Sequence, residues 1–86
     1  MKKKNAIVCG AGGFIGGHMV KRLLDDGYVV AAVDVRPFDD WDQVHPDSIN
    51  QDSFDLRNPH SVESLVRSAQ ATELYQFAAD MGGAGY

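Results

Sequence analysis

Three glycines near the start of the chain have the spacing of a phosphate-binding loop. Gly10, Gly13 and Gly16 lie in the segment CGAGGFIGG, between a short apolar run and a stretch of helical periodicity. In such a loop the first glycine permits a tight turn, the second lets a pyrophosphate approach the backbone, and the third lets the helix pack closely on the strand. The helix start, at Phe14 and Ile15, then offers free N–H groups and a partial positive charge. The predicted chemistry is dinucleotide binding through the phosphates.

An acidic residue follows this loop at the sequence separation that is typical of a ribose-binding acid. Asp34 closes the next apolar run, about 20 residues beyond the glycines, where an acid accepts hydrogen bonds from the adenosine ribose. Its negative charge repels a 2′-phosphate, which favours NAD over NADP. Arg36 works in the opposite direction, because an arginine near this position can accommodate a 2′-phosphate. The pattern predicts an NAD site and leaves NADP open as the alternative.

The elements that must position these residues alternate between strand and helix. Short, nearly continuous apolar runs predict two buried strands, and a weak third strand and a fourth strand follow them. The strands show little polar alternation, which suits a sheet covered on both faces. Gly27 stands where a helix-terminating glycine belongs, and Asn58 followed by Pro59 is a typical helix start. The order β-α-β-β-α-β, with right-handed crossovers, predicts a parallel sheet in the order 3-2-1-4. The strands are expected at Asn5–Cys9, Tyr28–Val35, Ile49–Phe54 and Glu73–Ala78.

This arrangement is the N-terminal half of a doubly wound α/β fold of the Rossmann type. A chain of 86 residues forms one small domain, which buries only ~60–65% of its unfolded surface. Strand four would lie at an open edge of the sheet, and open edges are a liability. We therefore expect residues 1–86 to be the N-terminal part of a larger NAD(P)-binding domain, with the remainder and the substrate domain outside this chain.

The segment between strands two and three matches no motif. The loop Arg36–Ser48 contains four aspartates and two prolines, which predicts a solvated acidic loop. We expect this loop, with Phe38 and Trp41, to pack partly on the surface. Trp41 has two open interpretations, since it could cover the adenine or anchor its own loop.

Composition excludes several other classes of function. The net charge is −4, with 8 basic and 12 acidic side chains, so a basic surface for nucleic acid is not expected. The apolar runs are too short for a membrane span or a signal peptide behind the lysines at 2–4. The single cysteine, Cys9, is interpreted as a small buried hydrophobe, and its lack of a disulfide partner fits the cytoplasm. The three histidines lack metal-ligand spacing, so no metal site is expected.

These residues resemble a known family, the extended short-chain dehydrogenase/reductases, which include NAD-dependent nucleotide-sugar epimerases and dehydratases. The glycine spacing is similar to theirs, and Asp55-Leu56 after strand three resembles the family's Asp-Leu pair. The resemblance implies that Asp55 binds the adenine amino group and that the backbone N–H of Leu56 binds the adenine ring. It also implies that Ala78 and Ala79 line the ribose and nicotinamide side of NAD.

The last ten residues carry a more specific resemblance. The stretch FAADMGGAGY at 77–86 is similar to the substrate turn of family members that act on GDP-mannose. This implies a nucleotide-sugar substrate, with Met81 as an apolar wall and with Gly82 and Gly83 letting the sugar pass close to the backbone. It further implies an isomerase that forms a homodimer and transiently oxidises C4 of the sugar. Another sugar-nucleotide epimerase or a 4,6-dehydratase is the alternative.

The family's catalytic Tyr-x-x-x-Lys pair is not found in these 86 residues. In that pair the tyrosine acts as general acid and base. Four positions after Tyr28 and Tyr75 the sequence has alanine, and Tyr86 is the last residue. We therefore expect no catalytic residue in this segment, which alone would be inactive. If these 86 residues are the whole protein, the alternative function is a dinucleotide-binding module without chemistry.

Overall fold

A computed structural model describes residues 3–78 of the chain. Its four strands pair in parallel in the order β3-β2-β1-β4. This confirms the predicted α/β fold and the predicted strand order 3-2-1-4. The elements are β1 (Asn5–Cys9), α1 (Phe14–Asp25), β2 (Val29–Val33), a short 3-10 helix (Phe38–Asp40), β3 (Ile49–Gln51), α2 (Pro59–Ala69) and β4 (Glu73–Gln76).

The helix ends follow from local sequence. Gly27 closes α1 with a φ of +89°, in the left-handed region that favours glycine. The side chain of Asn58 caps α2 by accepting a hydrogen bond from the His60 N–H at 2.9 Å, and Pro59 is the first helical residue. The C-terminal end of α2 was not predicted, because Gln70 adopts the left-handed conformation (φ 51°) in place of a glycine.

Three of the strands are shorter than predicted. β2 ends at Val33 because the side chain of Asp34 accepts a hydrogen bond from the Arg36 N–H at 3.0 Å, which turns the backbone. β3 ends at Gln51 because Ser53 has a φ of 53° and interrupts the extended conformation. β4 similarly ends at Gln76, two residues earlier than predicted.

The two central strands, β1 and β2, are covered on both faces, as their apolar sequences predicted. Successive residues of a strand point to opposite faces, so these two strands each contribute to two cores. The α1 face buries Ala6 and Val8 of β1, and the α2 face buries Ile7 and Cys9. On the α1 face the core consists of Ala6, Val8, Ala11, Val20, Leu23, Val30, Ala32 and Trp41, and on the α2 face of Ile7, Cys9, Ala31, Val33 and Leu56.

The buried thiol of Cys9 predicts a loss of stability at alkaline pH. Cys9 has no exposed surface, which confirms its interpretation as a core residue, and burial raises the pKa of its thiol from 9.0 to about 11. The unfolded chain ionises first as pH rises, so the free energy of unfolding should fall between pH 9 and 11. At ~1.36 kcal/mol per pKa unit the fall is roughly 3 kcal/mol.

Urea unfolding of the wild type and of Cys9→Ala at a series of pH values measures this effect. The variant should start less stable and lose less stability as pH rises. Tyr28 and Tyr75 hydrogen-bond to Glu73, which raises both of their pKa values in both proteins, so only the difference between the proteins reports on the thiol. Equal slopes for the two proteins would contradict the assignment.

Candidate functional site

The glycine loop is shaped by contacts that exclude a side chain at two positions. Gly10 has a φ of +84°, and a Cβ there would lie 2.6 Å from the backbone nitrogen of Ala78, just beyond β4. A Cβ at Gly16 would lie 2.1 Å from the carbonyl oxygen of Gly10. The first glycine is therefore required by the turn and by the segment that follows β4, and the third by the packing of α1 on the loop.

Gly13 has an open side, in contrast to its neighbours. A Cβ there would have only two neighbours within 4 Å, the Nη2 atom of Arg36 at 3.4 Å and the carbonyl oxygen of Gly10 at 3.6 Å. The first N–H groups of α1, at Phe14 and Ile15, lack an intrahelical acceptor, as in every α-helix. Gly13 is the N-cap residue, and no side chain caps the helix there. This open cradle beside a helix N-terminus fits a pyrophosphate.

Asp34 lies at the carboxyl end of β2 and is only 3% exposed. Its Oδ2 atom accepts hydrogen bonds from the Gly12 N–H at 2.9 Å and from Arg36 Nη2 at 3.1 Å. Its Oδ1 atom accepts from the Arg36 N–H at 3.0 Å and from Arg36 Nε at 3.2 Å. Burial opposes ionisation, but the donors of Arg36 and Gly12 outweigh it and lower the pKa of Asp34. The carboxylate is therefore ionised at neutral pH.

These residues surround a crevice at the carboxyl ends of the strands, where ligands bind in doubly wound sheets. One cavity of about 360 Å³ extends from the glycine loop to Asp34, and Val35 also borders a second of about 320 Å³. The first is lined by Gly10, Gly13, Asp34, Val35, Arg36, Phe77 and Ala78, and the second by Val35, Ser53, Phe54, Asp55 and Arg57. Together they provide adjoining space for a phosphate, a ribose and a base.

The structure brings most of the predicted cofactor residues together. Phe14, Ile15 and Gly16 line a further cavity with Gly10 and Gly13, while Asp55 lies in the second cavity named above. The side chain of Leu56 is buried in the core on the α2 face, so only its backbone is suited to the predicted role. The predicted positions Ala79, Met81, Gly82 and Gly83 lie outside the described residues.

Trp41 packs behind the glycine loop. It is only 8% exposed, whereas Phe38 of the same loop is 39% exposed. Its indole N–H donates to the carbonyl oxygen of Arg36 at 2.9 Å, and its ring lies 2.7 Å from where a Cβ of Gly12 would stand. The Asp42 N–H donates to the Gly12 carbonyl oxygen at 2.8 Å. Trp41 therefore anchors its own loop, which is one of its two sequence interpretations, and it also lies beside Gly12, which the sequence did not predict.

Residues 3–78 contain neither a candidate metal site nor a candidate membrane-spanning helix. Acidic, histidine and cysteine side chains of this part of the chain form no group of three that could hold a metal ion. None of the helices described here has the length and apolar character to cross a membrane.

The parallel sheet, the glycine loop and the buried acid at the end of β2 define a domain of the Rossmann type. Comparison with known proteins makes this more specific. The chain belongs to the NAD dependent epimerase/dehydratase family, whose sequence profile matches residues 6–85. Membership confirms the resemblance described above and the prediction of NAD as the cofactor.

The individual relatives are epimerases named for nucleotide-sugar substrates. GDP-mannose 3,5-epimerase of Arabidopsis thaliana is 30% identical over 80 residues, which cover 92% of this chain and 20% of that protein. GDP-mannose 3,5-epimerase 1 of Oryza sativa subsp. indica is 30% identical over 92 residues, covering 99% and 22%. The solved UDP-glucose 4-epimerase of Thermus thermophilus, in complex with NAD, has a TM-score of 0.72 and 30% identity, covering 88% and 24%. The chain spans about a fifth of the length of these curated relatives.

Proposed function

We propose that this chain supplies the NAD-binding part of a nucleotide-sugar epimerase, with residues 1–86 as the N-terminal part of its cofactor domain. The observation that carries the proposal is the open cradle at Gly13, next to the buried, ionised Asp34 and within one crevice. A turn with a surface aspartate would not bury the acid or point its oxygens at the same loop. Family membership supports the same cofactor.

Each part of the cofactor has residues that suit it. The N–H groups at the start of α1 would hold the pyrophosphate over Gly13, and Asp34 would accept hydrogen bonds from the adenosine ribose. Asp55 and the Leu56 N–H would recognise the adenine, and Ala78 with Ala79 would line the ribose and nicotinamide side. When bound, NAD supplies the removal and return of a hydride at C4 of the sugar. The protein's share is to fix the cofactor in the crevice.

We propose GDP-mannose as the substrate, with inversion at C3 and C5 of the sugar. The proposal is supported by the two GDP-mannose 3,5-epimerases that the chain matches at 30% identity. Met81, Gly82 and Gly83 would form the wall of the sugar site. A homodimer in the cytoplasm belongs to the same proposal. The second candidate is a UDP-glucose 4-epimerase, favoured by the structural likeness to that enzyme.

Solvent isotope exchange distinguishes the two candidates. The intact protein that contains this chain is incubated in D₂O with NAD and either GDP-mannose or UDP-glucose, and products are followed by proton NMR. Inversion at C3 and C5 exchanges protons with solvent, so deuterium should enter GDP-mannose at both carbons. Inversion at C4 by hydride removal and return leaves the sugar protonated. Turnover of UDP-glucose alone, without deuterium uptake, would favour the second candidate and overturn the first.

Replacing Asp34 by alanine tests the cofactor site itself. The change removes the acceptor proposed for the ribose, so NAD binding should weaken about tenfold or more and discrimination against NADP should relax. It also leaves the Gly12 N–H and Arg36 without their partner, at a cost of ~1.5–3 kcal/mol in stability. Titration calorimetry with both cofactors measures the first effect and thermal melting the second. Asp47→Ala, in the exposed part of the loop, is the matched control. Unchanged NAD affinity in a folded Asp34→Ala protein would count against the site.

A further inference from the structure

The backbone at Gly12, one residue before the open cradle, is held on three sides. Its N–H donates to Asp34 Oδ2 at 2.9 Å, and its carbonyl oxygen accepts the Asp42 N–H at 2.8 Å. The Trp41 ring closes the side on which a side chain would stand, because a Cβ on Gly12 would lie 2.7 Å from two of the ring carbons. Two of these three contacts come from the irregular loop that follows β2.

The same part of that loop also contacts the first turns of α1. We call residues 41–45 the strap. The Nε2 atom of His45 is hydrogen-bonded to the carbonyl oxygen of Gly17 at 3.0 Å. The side chain of Gln43 lies beside Gly17, 3.1 Å from where a Cβ would stand. The strap therefore contacts the glycine segment at two places, Gly12 in the loop and Gly17 in the helix.

A glycine-rich loop needs such external contacts to keep one shape. Three of the four residues at positions 10–13 are glycines, and glycine loses more conformational freedom than any other residue when it is ordered. While the strap holds Gly12, the loop is ordered when the chain folds. Without those contacts, the ordering would take place when a phosphate binds, and the affinity for the phosphate would be lower.

We propose that Trp41 and Asp42 are positioning residues for the cofactor's pyrophosphate, which hold the cradle at Gly13 in its binding shape through their contacts with Gly12. This inference rests on the proposed function, namely that the crevice binds a dinucleotide. Neither residue lines the three cavities described above, so the effect passes through the glycine loop. It should therefore fall on the phosphates and leave the adenosine part of the cofactor unaffected.

Replacing Asp42 by proline removes a single backbone N–H, the donor to the Gly12 carbonyl oxygen. Trp41 is already extended, with φ −81° and ψ 140°, as a residue before proline should be. The intact protein that contains this chain is titrated with ADP-ribose, which carries the pyrophosphate, and with adenosine, which does not. Calorimetry measures the first dissociation constant and ligand-observed NMR the second.

Asp42→Pro should bind ADP-ribose about fivefold or more weakly and adenosine within about twofold of the wild type. Asp42→Ala is the matched control, because it removes the same exposed carboxylate and keeps the N–H. It should bind both ligands as the wild type does. In the cofactor-free protein, the Gly13 N–H should exchange with solvent about fivefold faster in Asp42→Pro than in Asp42→Ala.

A second variant tests the ring and decides the matter if the proline variant does not fold. Trp41→Phe removes the indole N–H and part of the ring, and it should weaken ADP-ribose selectively in the same way. Because Trp41 also belongs to the core on the α1 face, Leu23→Val, in that core near the far end of α1, controls for lost stability. This control should leave both affinities within about twofold of the wild type.

The outcomes separate this inference from the proposed function. Equal losses of affinity for ADP-ribose and adenosine, or no loss in the folded variants, would overturn the positioning role and leave the proposed function standing. If the folded wild type binds neither ADP-ribose nor NAD, the proposed function fails and this inference fails with it.

Discussion

Replacing Gly13 by valine is expected to abolish NAD binding and to leave the fold intact. The backbone at Gly13 is extended, with φ −81° and ψ 171°, a conformation that β-branched residues adopt readily. The nearest atoms to a Cβ there are at 3.4 and 3.6 Å, so the new side chain would project into the open crevice and not into the core. It would fill the space proposed for the pyrophosphate, and we expect NAD to bind at least ~100-fold more weakly.

Calorimetric titration with NAD, together with a thermal melt, measures both halves of this expectation. Gly13→Ala gives a graded comparison, because a single methyl group fills less of the crevice. Ser64→Val, on the exposed face of α2, controls for the introduction of valine. A folded Gly13→Val protein that binds NAD within about twofold of the wild type would show that the phosphates lie elsewhere.

Replacing Gly16 by alanine should have the largest effect on stability. The added Cβ would lie 2.1 Å from the carbonyl oxygen and 2.8 Å from the carbonyl carbon of Gly10, both of which are backbone atoms. Relief requires α1 to move away from the loop and β1. We expect a loss of about 3 kcal/mol or more, at the upper end of overpacking costs, which exceeds the ~1 kcal/mol gained in helix propensity.

The neighbouring position gives a close control for this prediction. A Cβ at Gly17 would meet the side chain of Gln43 at 3.1 Å, and that side chain can move. Gly17→Ala should therefore stay within ~1 kcal/mol of the wild type, since the gain in propensity offsets a small rearrangement. Urea unfolding of the two variants measures the difference. Equal stabilities for Gly16→Ala and Gly17→Ala would refute the packing argument.

The topology could be predicted because it depends on local signals and chain connectivity. β1 and β2 are apolar runs, the two helices have clear periodicity, and the crossover rule then leaves one sheet order, which the structure has. Gly27 and the Asn58-Pro59 start were predictable for the same reason, since the conformation of each is set by its own residue type. The glycine spacing likewise predicted that Gly10 and Gly16 stand where backbone atoms leave no room for a side chain.

The remaining parts of the site depend on contacts between distant segments, which no local pattern reveals. The ring of Trp41 lies beside Gly12, and the loop that brings it there is irregular and has no periodicity. The pairing of Arg36 with Asp34 depends on where the backbone turns after β2. Because of that turn, β2 is shorter than the sequence predicted. Both residues could be identified from the sequence, but the ion pair between them could not. The substrate roles of Met81, Gly82 and Gly83 stay predictions.

The central claim is that the glycine loop and Asp34 form an NAD site, and a fluorescence titration tests it most directly. The chain contains one tryptophan, Trp41, whose ring packs behind Gly12, so it is a built-in reporter within this part of the protein. Excited selectively in a protein whose other tryptophans are replaced by phenylalanine, it should change its emission on NAD addition and saturate at one equivalent. The same titration of Gly13→Val should be flat. A folded wild-type protein with no emission change and no calorimetric heat would contradict the account.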